Sequence, residues 1–218
     1  MNLEGKVITI EGVDAVGKTT QTGFLLDYIL NEQNITKVKV YSFPDYTTDI
    51  GKTIYDYLHN SKHDYRTKMF TNDHGEIITG KKLFELMQKN NKMEKLPGII
   101  QELKLNYTLI MNRYIESQYV YGGLEGFDIH WLKQINSQLP KSDVVFVLAL
   151  PIHKIKERLK RRKKKDVYEK DLQFLQKAQD RYFELAQEFD NWVIINCDGK
   201  SSEQIHSDMI TRMQLVLH

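Results

Sequence analysis

The sequence predicts an α/β fold in which a five-stranded parallel sheet is flanked by helices, three layers in all. Three observations predict it. Apolar runs of strand length alternate along the 218 residues with stretches of helical periodicity, the order that builds a parallel sheet covered on both faces. The first such run leads into "EGVDAVGKTT", residues 11–20, a glycine-rich turn between a strand and a helix. No linker, internal repeat or low-complexity tract divides the chain apart from one basic run, so a single domain over residues 1–218 is expected.

The elements follow in order. "GKVITIEG" reads as a buried strand ending near Gly12. From residue 17 to about 31, Phe24, Leu25, Tyr28 and Ile29 recur at helical spacing. "KVKVYSFP" is a second strand, stopped by Pro44, and "DIGKTIYDYL" a helix. Residues from about 62 to 80 are polar and turn-rich, a loop or a small hairpin. "KKLFELMQKNNKMEKLPGIIQELKL" predicts one long helix bent at Pro97–Gly98. "YTLIM" and "DVVFVLAL" are the third and fourth strands, the latter stopped by Pro151. Helices are expected over residues 152 to about 164 and about 168 to 189. "NWVIIN" is the fifth strand, and "SSEQIHSDMITRMQLVL" a closing helix capped by Ser201 or Ser202.

Composition bounds the function. The hydrophobic fraction of 41% and charged fraction of 28% are those of an ordinary soluble globular chain. Its longest apolar runs are too short to span a bilayer, and no signal peptide is visible. One cysteine, Cys197, cannot form an internal disulfide, which points to a reducing, cytoplasmic setting; as a small apolar side chain it suits a core position. The net charge of +2 hides an asymmetry. "RLKRRKKK", residues 158–165, holds seven basic residues, and without them 24 Lys and Arg face 29 acids. Nucleic-acid-coating proteins spread basic residues over a face. Here the charge is confined to one segment, and neither a nucleic-acid nor a membrane partner is expected.

Gly12, Gly17, Lys18 and Thr19 fit G-x-x-x-x-G-K-S/T, the phosphate-binding P-loop. The motif requires a strand before it and a helix after it, and the pattern supplies both. Backbone N–H groups in such a turn converge on a phosphate, and the helix N-terminus adds partial positive charge. Lys18 is placed to reach the outer phosphates of a nucleoside triphosphate, and the Thr19 hydroxyl to ligate Mg2+. No guanine-reading "NKxD" sequence is present. A short P-loop chain with a basic segment after its fourth strand suits phosphoryl transfer between small molecules, where a lid shuts out water. The lid is expected over about residues 158–168.

Five segments in order resemble the thymidylate kinase family of P-loop nucleoside monophosphate kinases: "EGVDAVGKTTQ", "SFPDYTTDIGKTIYDYL", "NRYIESQYVYGG", "KKKDVYEKDLQFLQKAQDRYFELA" and "NCDGKSSEQIH". The resemblance implies ATP and dTMP as substrates, Mg2+ as cofactor and a homodimer. It places ATP on Gly12, Val13, Ala15, Val16, Gly17, Lys18, Thr19 and Thr20, with adenine packed by the segment holding Asp198 and Lys200. It implies that Asp14 contacts the acceptor deoxyribose hydroxyl and orders the metal's water, so that Thr19 and Asp14 form the metal site. Arg113 would grip the monophosphate. Tyr121 would lie against the sugar, Phe43–Pro44 beside the acceptor, and Tyr168 and Glu169 would close over it from the lid.

Three departures from the family pattern stand out. Ala15 and Val16 occupy positions where some members carry a P-loop arginine, so the work falls to Arg158, Arg161 or Arg162 of the basic run. Gln88 and Lys92 stand where the family has a stacking aromatic residue and a base-reading arginine. Phe84 or Met87 would then have to stack, and the base is thymine held differently, or uracil or a modified pyrimidine. Asn112 replaces an aspartate immediately before the arginine. Two rival readings remain open: a deoxynucleoside kinase, whose uncharged acceptor hydroxyl would need a base such as Glu116, and a catalytically impaired nucleotide-binding module.

Overall fold

The computed structural model describes residues 3–33, 35–59, 68–71, 75, 77–161 and 166–217. The elements run β1 (Val7–Glu11), α1 (Lys18–Asp27), β2 (Val38–Ser42), α2 (Asp49–His59), β3 (Met69–Thr71), β4 (Ile77–Thr79), α3 (Gly80–Met93), α4 (Leu96–Lys104), β5 (Thr108–Asn112), α5 (Ile115–Leu124), α6 (Ile129–Ile135), β6 (Val144–Ala149), α7 (Ile152–Lys160), α8 (Leu172–Glu188), β7 (Trp192–Asn196) and α9 (Ser202–Val216). The main sheet has the order β2-β5-β1-β6-β7, and every neighbouring pair is parallel. The expected five-stranded sheet is therefore present, with β1 at its centre.

Its inner strands read as unbroken apolar runs because both of their faces are covered. Ile8, Ile10, Leu109, Ile110, Val145 and Phe146 are all fully buried, and each such side chain contributes about 1.5–3 kcal/mol of burial. The chain crosses over on either side of β1, so the carboxyl ends of β1, β2 and β5 meet at one rim, the usual place for a ligand cleft in an open parallel sheet.

Close backbone contact sets that rim. Gly51 in α2 packs directly on the loop after β2: a Cβ there would lie 1.8 Å from the carbonyl oxygen of Asp45. The fully buried Asn91 of α3 holds the same loop. Its side-chain oxygen accepts from the Asp45 amide at 2.7 Å, and its nitrogen donates to the Asp45 carbonyl and the Thr48 hydroxyl. The loop begins with a cis Phe43–Pro44 bond.

Several boundaries differ from the sequence expectation. The first helix passes into a π-helical turn, Tyr28–Glu32, instead of continuing to residue 31 as α-helix. The long helix does not bend at Pro97–Gly98. It ends at Met93, and a new helix starts at Leu96 with the proline in its first turn, where the missing N–H costs nothing. Tyr168 lies in a turn ahead of α8, which starts at Leu172 behind an Asp171 cap. Helices α5 and α6 after the third strand have no counterpart in the periodicity reading. The stretch from 62 to 80 contains an antiparallel pair, β3 with β4; residues 60–67, 72–74 and 76 lie outside the described part. Ser201 caps α9 in a reciprocal box with Gln204. Among the described residues, no helix is long and apolar enough to cross a membrane.

Candidate active site

The turn from Glu11 to Lys18 leaves the central strand and opens α1, the context that the P-loop motif requires. Gly12 has φ of 130°, and a Cβ there would come within 2.5 Å of the Leu148 carbonyl oxygen, so only glycine fits against β6. Gly17 precedes the helix at φ of 119°. Lys18 is buried, and its Nζ donates to the carbonyls of Gly12 at 3.0 Å and Val13 at 2.9 Å. The Asp14 carboxylate lies 3.9 Å away. Val13 and Val16 are buried beneath the loop, whereas Thr19 and Thr20 are exposed on the cleft side.

Glu11 is the hidden anchor of this site. It is fully buried at the end of β1 and accepts hydrogen bonds from the Tyr114 and Ser117 amides, the Ser117 hydroxyl and the Tyr182 hydroxyl at 2.7 Å. Those amides open α5, so the carboxylate occupies the positive end of a helix. The anchored turn carries Arg113, a non-glycine residue at φ of 63°. Arg113 donates from Nη2 to Asp14 at 2.8 Å, and its guanidinium lies over the Tyr121 ring at 5.6 Å. Burial pulls the Arg113 pKa down, but Asp14 and Glu11 outweigh it and hold the group well above the usual arginine range.

Two adjoining spaces open beside this pair. The broader one is lined by Lys18, Thr19, Thr20, Asn112, Arg158 and Glu169, among others. The deeper one is lined by Phe84, Glu85, Gln88, Lys92, Tyr121 and Tyr168, among others. Asp14, Phe43, Pro44, Tyr46, Arg113 and Asp166 line both. A cation and two carboxylates therefore mark the junction.

Arg158, in the last turn of α7, donates from Nη1 to the carbonyls of Ala15 and Val16, both at 3.0 Å. The place left without a P-loop arginine is thus reached by an arginine from 142 residues further along the chain. Arg161 is exposed at the end of α7 and lines neither space. Arg162 lies outside the described residues, as do residues 163–165 of the expected lid.

The remaining expected residues divide. Phe43 and Pro44 line both spaces. Tyr168 stacks on Phe174 at 4.8 Å and faces Tyr121. Glu169 accepts from the Asp166 amide and donates its own amide to Asp166. Lys92 is fully buried with its ammonium on the Gln88 carbonyl and the Gln118 side chain. Phe84 is at the deeper space, stacked on Tyr57, while Met87 is not among its lining residues. Asp198 pairs with Lys154 and Lys200 with Asp208; neither lines the cleft.

Sequence reasoning missed Glu11, Tyr46, Glu85, Gln118 and Asp166, among others that line the two spaces or anchor them. For Glu11 a signal existed, since a carboxylate closing an apolar strand is buried and needs donors. Asp166 has its pKa pushed up to about 7 by burial and by the neighbouring Asp14. Among the described residues no cluster of three or more His, Cys, Asp or Glu side chains is built to hold a metal. Mg2+ needs no such cluster, because it keeps waters and takes oxygens from phosphates. The Thr19 hydroxyl and the Asp14 carboxylate in one cleft suit it.

A central-strand P-loop facing an arginine, with a second arginine on the loop itself, defines a phosphoryl-transfer protein of the P-loop class. Comparison with known proteins narrows the class. The family model described as thymidylate kinase matches residues 10–209. A probable thymidylate kinase of Methanocaldococcus jannaschii is 31% identical, over 99% of this chain and 100% of its own length. The thymidylate kinase of Schizosaccharomyces pombe is 30% identical, over 94% of this chain and 90% of its own. The solved thymidylate kinase of Candida albicans superposes with a TM-score of 0.72 at 25% identity, covering 97% of this chain and 92% of that one. The chain belongs to the thymidylate kinase family, and it is an ATP-dependent nucleoside monophosphate kinase.

Proposed function

We propose that the chain transfers the γ-phosphoryl group of ATP to the 5′-phosphate of dTMP, giving ADP and dTDP. The observation that carries this reading is the Asp14–Arg113 pair at the junction of the two spaces, 2.8 Å apart. An arginine there meets an acceptor that is already an anion, and such an acceptor needs no strong base. Catalysis is then positioning and charge neutralisation. Lys18 and the P-loop amides hold the triphosphate, Arg113 holds the monophosphate, and Arg158 meets charge as it develops on the transferring group. Tyr121 and Tyr168 wall the sugar side, and Asp14 accepts from the deoxyribose hydroxyl. The Thr19 hydroxyl and, through water, the Asp14 carboxylate would hold Mg2+, which would supply charge neutralisation at the phosphates.

The deoxynucleoside-kinase reading loses support. Glu116, its candidate base, is buried, accepts from the Ser142 hydroxyl at 2.6 Å and lines neither space. Burial and the charge of Glu11 push its pKa up to about 8. Coupled ADP-release assays test the proposal. Turnover is expected with dTMP and not with thymidine; phosphorylation of thymidine without dTMP would replace this reading with its rival. The family resemblance also underlies the reading of the protein as a cytoplasmic homodimer, which sedimentation of the purified chain checks.

Asn112 ends β5 and lines the same space as Thr19. Asn112→Asp adds a carboxylate of nearly the same size. If charge at this place serves the metal, the Mg2+ concentration for half-maximal rate falls several-fold. If the added charge ties up Arg113 instead, KM for the monophosphate rises. A Mg2+ titration of both forms at saturating ATP separates the two, and no change in either parameter would make Asn112 a spectator.

A further inference from the structure

Arg113 is held on both of its edges, and the two holds differ in burial. Its Nη2 donates to Asp14, whose side chain is 23% exposed, at 2.8 Å. Its Nη1 donates to the Ser117 hydroxyl at 3.4 Å. Behind that hydroxyl lies the Glu11 carboxylate, 0% exposed, with Oε2 at 3.9 Å from the same nitrogen. A buried carboxylate beside an arginine is expected to take a direct, charge-assisted hydrogen bond from it. Here the two stop short of hydrogen-bond distance.

The reason is that Glu11 is already filled. A carboxylate accepts at about four places. Oε1 takes the amides of Tyr114 and Ser117, at 2.9 and 3.0 Å. Oε2 takes the hydroxyls of Ser117 and Tyr182, each at 2.7 Å. The Tyr114 and Ser117 donors come from the start of α5, next to Arg113 itself. Tyr182 comes from the distant α8 and is fully buried. Burial and the charge of Glu11 hold its phenol well above the usual tyrosine range, so it stays a donor. The Ser117 hydroxyl has a single proton and gives it to Glu11, so toward Arg113 it can only accept.

We infer that Tyr182 is a positioning residue for acceptor binding: its hydroxyl fills the Glu11 oxygen that would otherwise capture Arg113, and so keeps the guanidinium turned toward the monophosphate. Without that hydroxyl, Oε2 has an open acceptor site in a place closed to water. An unmet buried acceptor is costly, and Arg113 Nη1, 3.9 Å away, can meet it by a small rotation of its side chain. The new pair would lie in lower dielectric than the partly solvated pair with Asp14, and would therefore be the stronger of the two. An arginine drawn back onto Glu11 leaves the acceptor phosphate with less positive charge at the junction of the two spaces. Tyr182 lines neither space, so it acts only through Arg113. The inference rests on the reading of Arg113 as the grip on the monophosphate.

The test uses the full chain with ATP and dTMP. Tyr182→Phe keeps the ring that faces Tyr121 and Trp192 and removes only the hydroxyl. KM for dTMP is expected to rise by on the order of tenfold to a hundredfold, the range for a hydrogen bond to a charged group. kcat should fall by less, because saturating monophosphate draws Arg113 back, and KM for ATP should not change. Adding Glu11→Gln to Tyr182→Phe should bring KM for dTMP back to within a few-fold of the wild type. The amide carries no charge, and it turns an N–H toward the guanidinium. A melting curve accompanies each variant; should Tyr182→Phe not fold, Ser117→Ala carries the test, since it clears the same oxygen. An unchanged KM for dTMP, or an equal rise for both substrates, overturns the inference and makes Tyr182 a packing residue. A raised KM that persists in the double variant overturns capture by Glu11. Arg113→Ala tells this failure from that of the wider reading. With a wild-type KM for dTMP in that variant, Arg113 is not the grip on the monophosphate, and both fall.

Discussion

Replacing Lys18 with alanine should lower kcat by on the order of 10³-fold or more with every acceptor, the scale lost when one preorganised donor to developing charge is removed. The ammonium is held by the Gly12 and Val13 carbonyls at 3.0 and 2.9 Å, with Asp14 at 3.9 Å. It therefore sits inside the curve of the loop whose amides receive phosphate. A triphosphate entering that curve replaces two neutral carbonyls with full negative charge, so the lysine moves toward the phosphates. The fold should survive. The variant leaves two carbonyls beside an open cleft, where water can replace the lost bonds, and the cost is about 1 kcal/mol for such a bond. Steady-state rates and a thermal melt of the same preparation check both halves. An unchanged kcat in a folded variant would remove the P-loop from the mechanism.

Much of this site was legible because its information is local. Gly12, Gly17, Lys18 and Thr19 lie within eight residues at the junction of a strand and a helix, so spacing alone fixes the geometry. The parallel sheet was legible for a related reason: strands buried on both faces read as apolar runs. Helix α5 was not. Ile115, Glu116, Gln118, Tyr119, Val120, Tyr121 and Gly122 are all buried. A helix buried nearly all round has no polar face, and its polar residues serve internal contacts, so no period of 3.6 emerges. The break between α3 and α4 was misplaced for another reason. Pro97 is compatible with a first turn, and the sequence carries no stronger mark at Glu94–Lys95, where the helix actually ends.

Long-range pairings were the least legible. The contact of Arg158 with the P-loop, the clamp of Gln118 between Lys92 and Glu85, and the approach of Asp166 to Asp14 each join distant parts of the chain. The family resemblance, together with the basic run, narrowed the P-loop partner to Arg158, Arg161 and Arg162. Choosing among them takes the direction of α7 relative to β1, which the packing of the helix on the sheet decides.

That choice gives the second large effect. Arg158→Ala should lower kcat by roughly 10³-fold, the lower end of the range for an arginine that stabilises a transferring phosphoryl group. KM for ATP should change by less than about tenfold. The reasoning starts at the P-loop. Ala15 and Val16 have no polar side chains, so their carbonyls are available to a neighbour, and Arg158 Nη1 takes both at 3.0 Å. This fixes one edge of the guanidinium. Its other N–H groups belong to the same rigid fork, and the residue lines the space that also holds Lys18 and Thr19. The fixed fork can meet charge that appears during transfer without reorganising. Arg158→Lys should recover little, because a point charge on a flexible stem cannot hold two carbonyls and a phosphoryl group together. Arg161→Ala should stay within a few-fold of the wild-type rate, since Arg161 is exposed and lines neither space. The three variants measured at saturating ATP and monophosphate decide the matter. A normal kcat for Arg158→Ala, with the loss appearing in Arg161→Ala, would move the catalytic arginine to the end of α7 and make the contact with Ala15 and Val16 a structural tether.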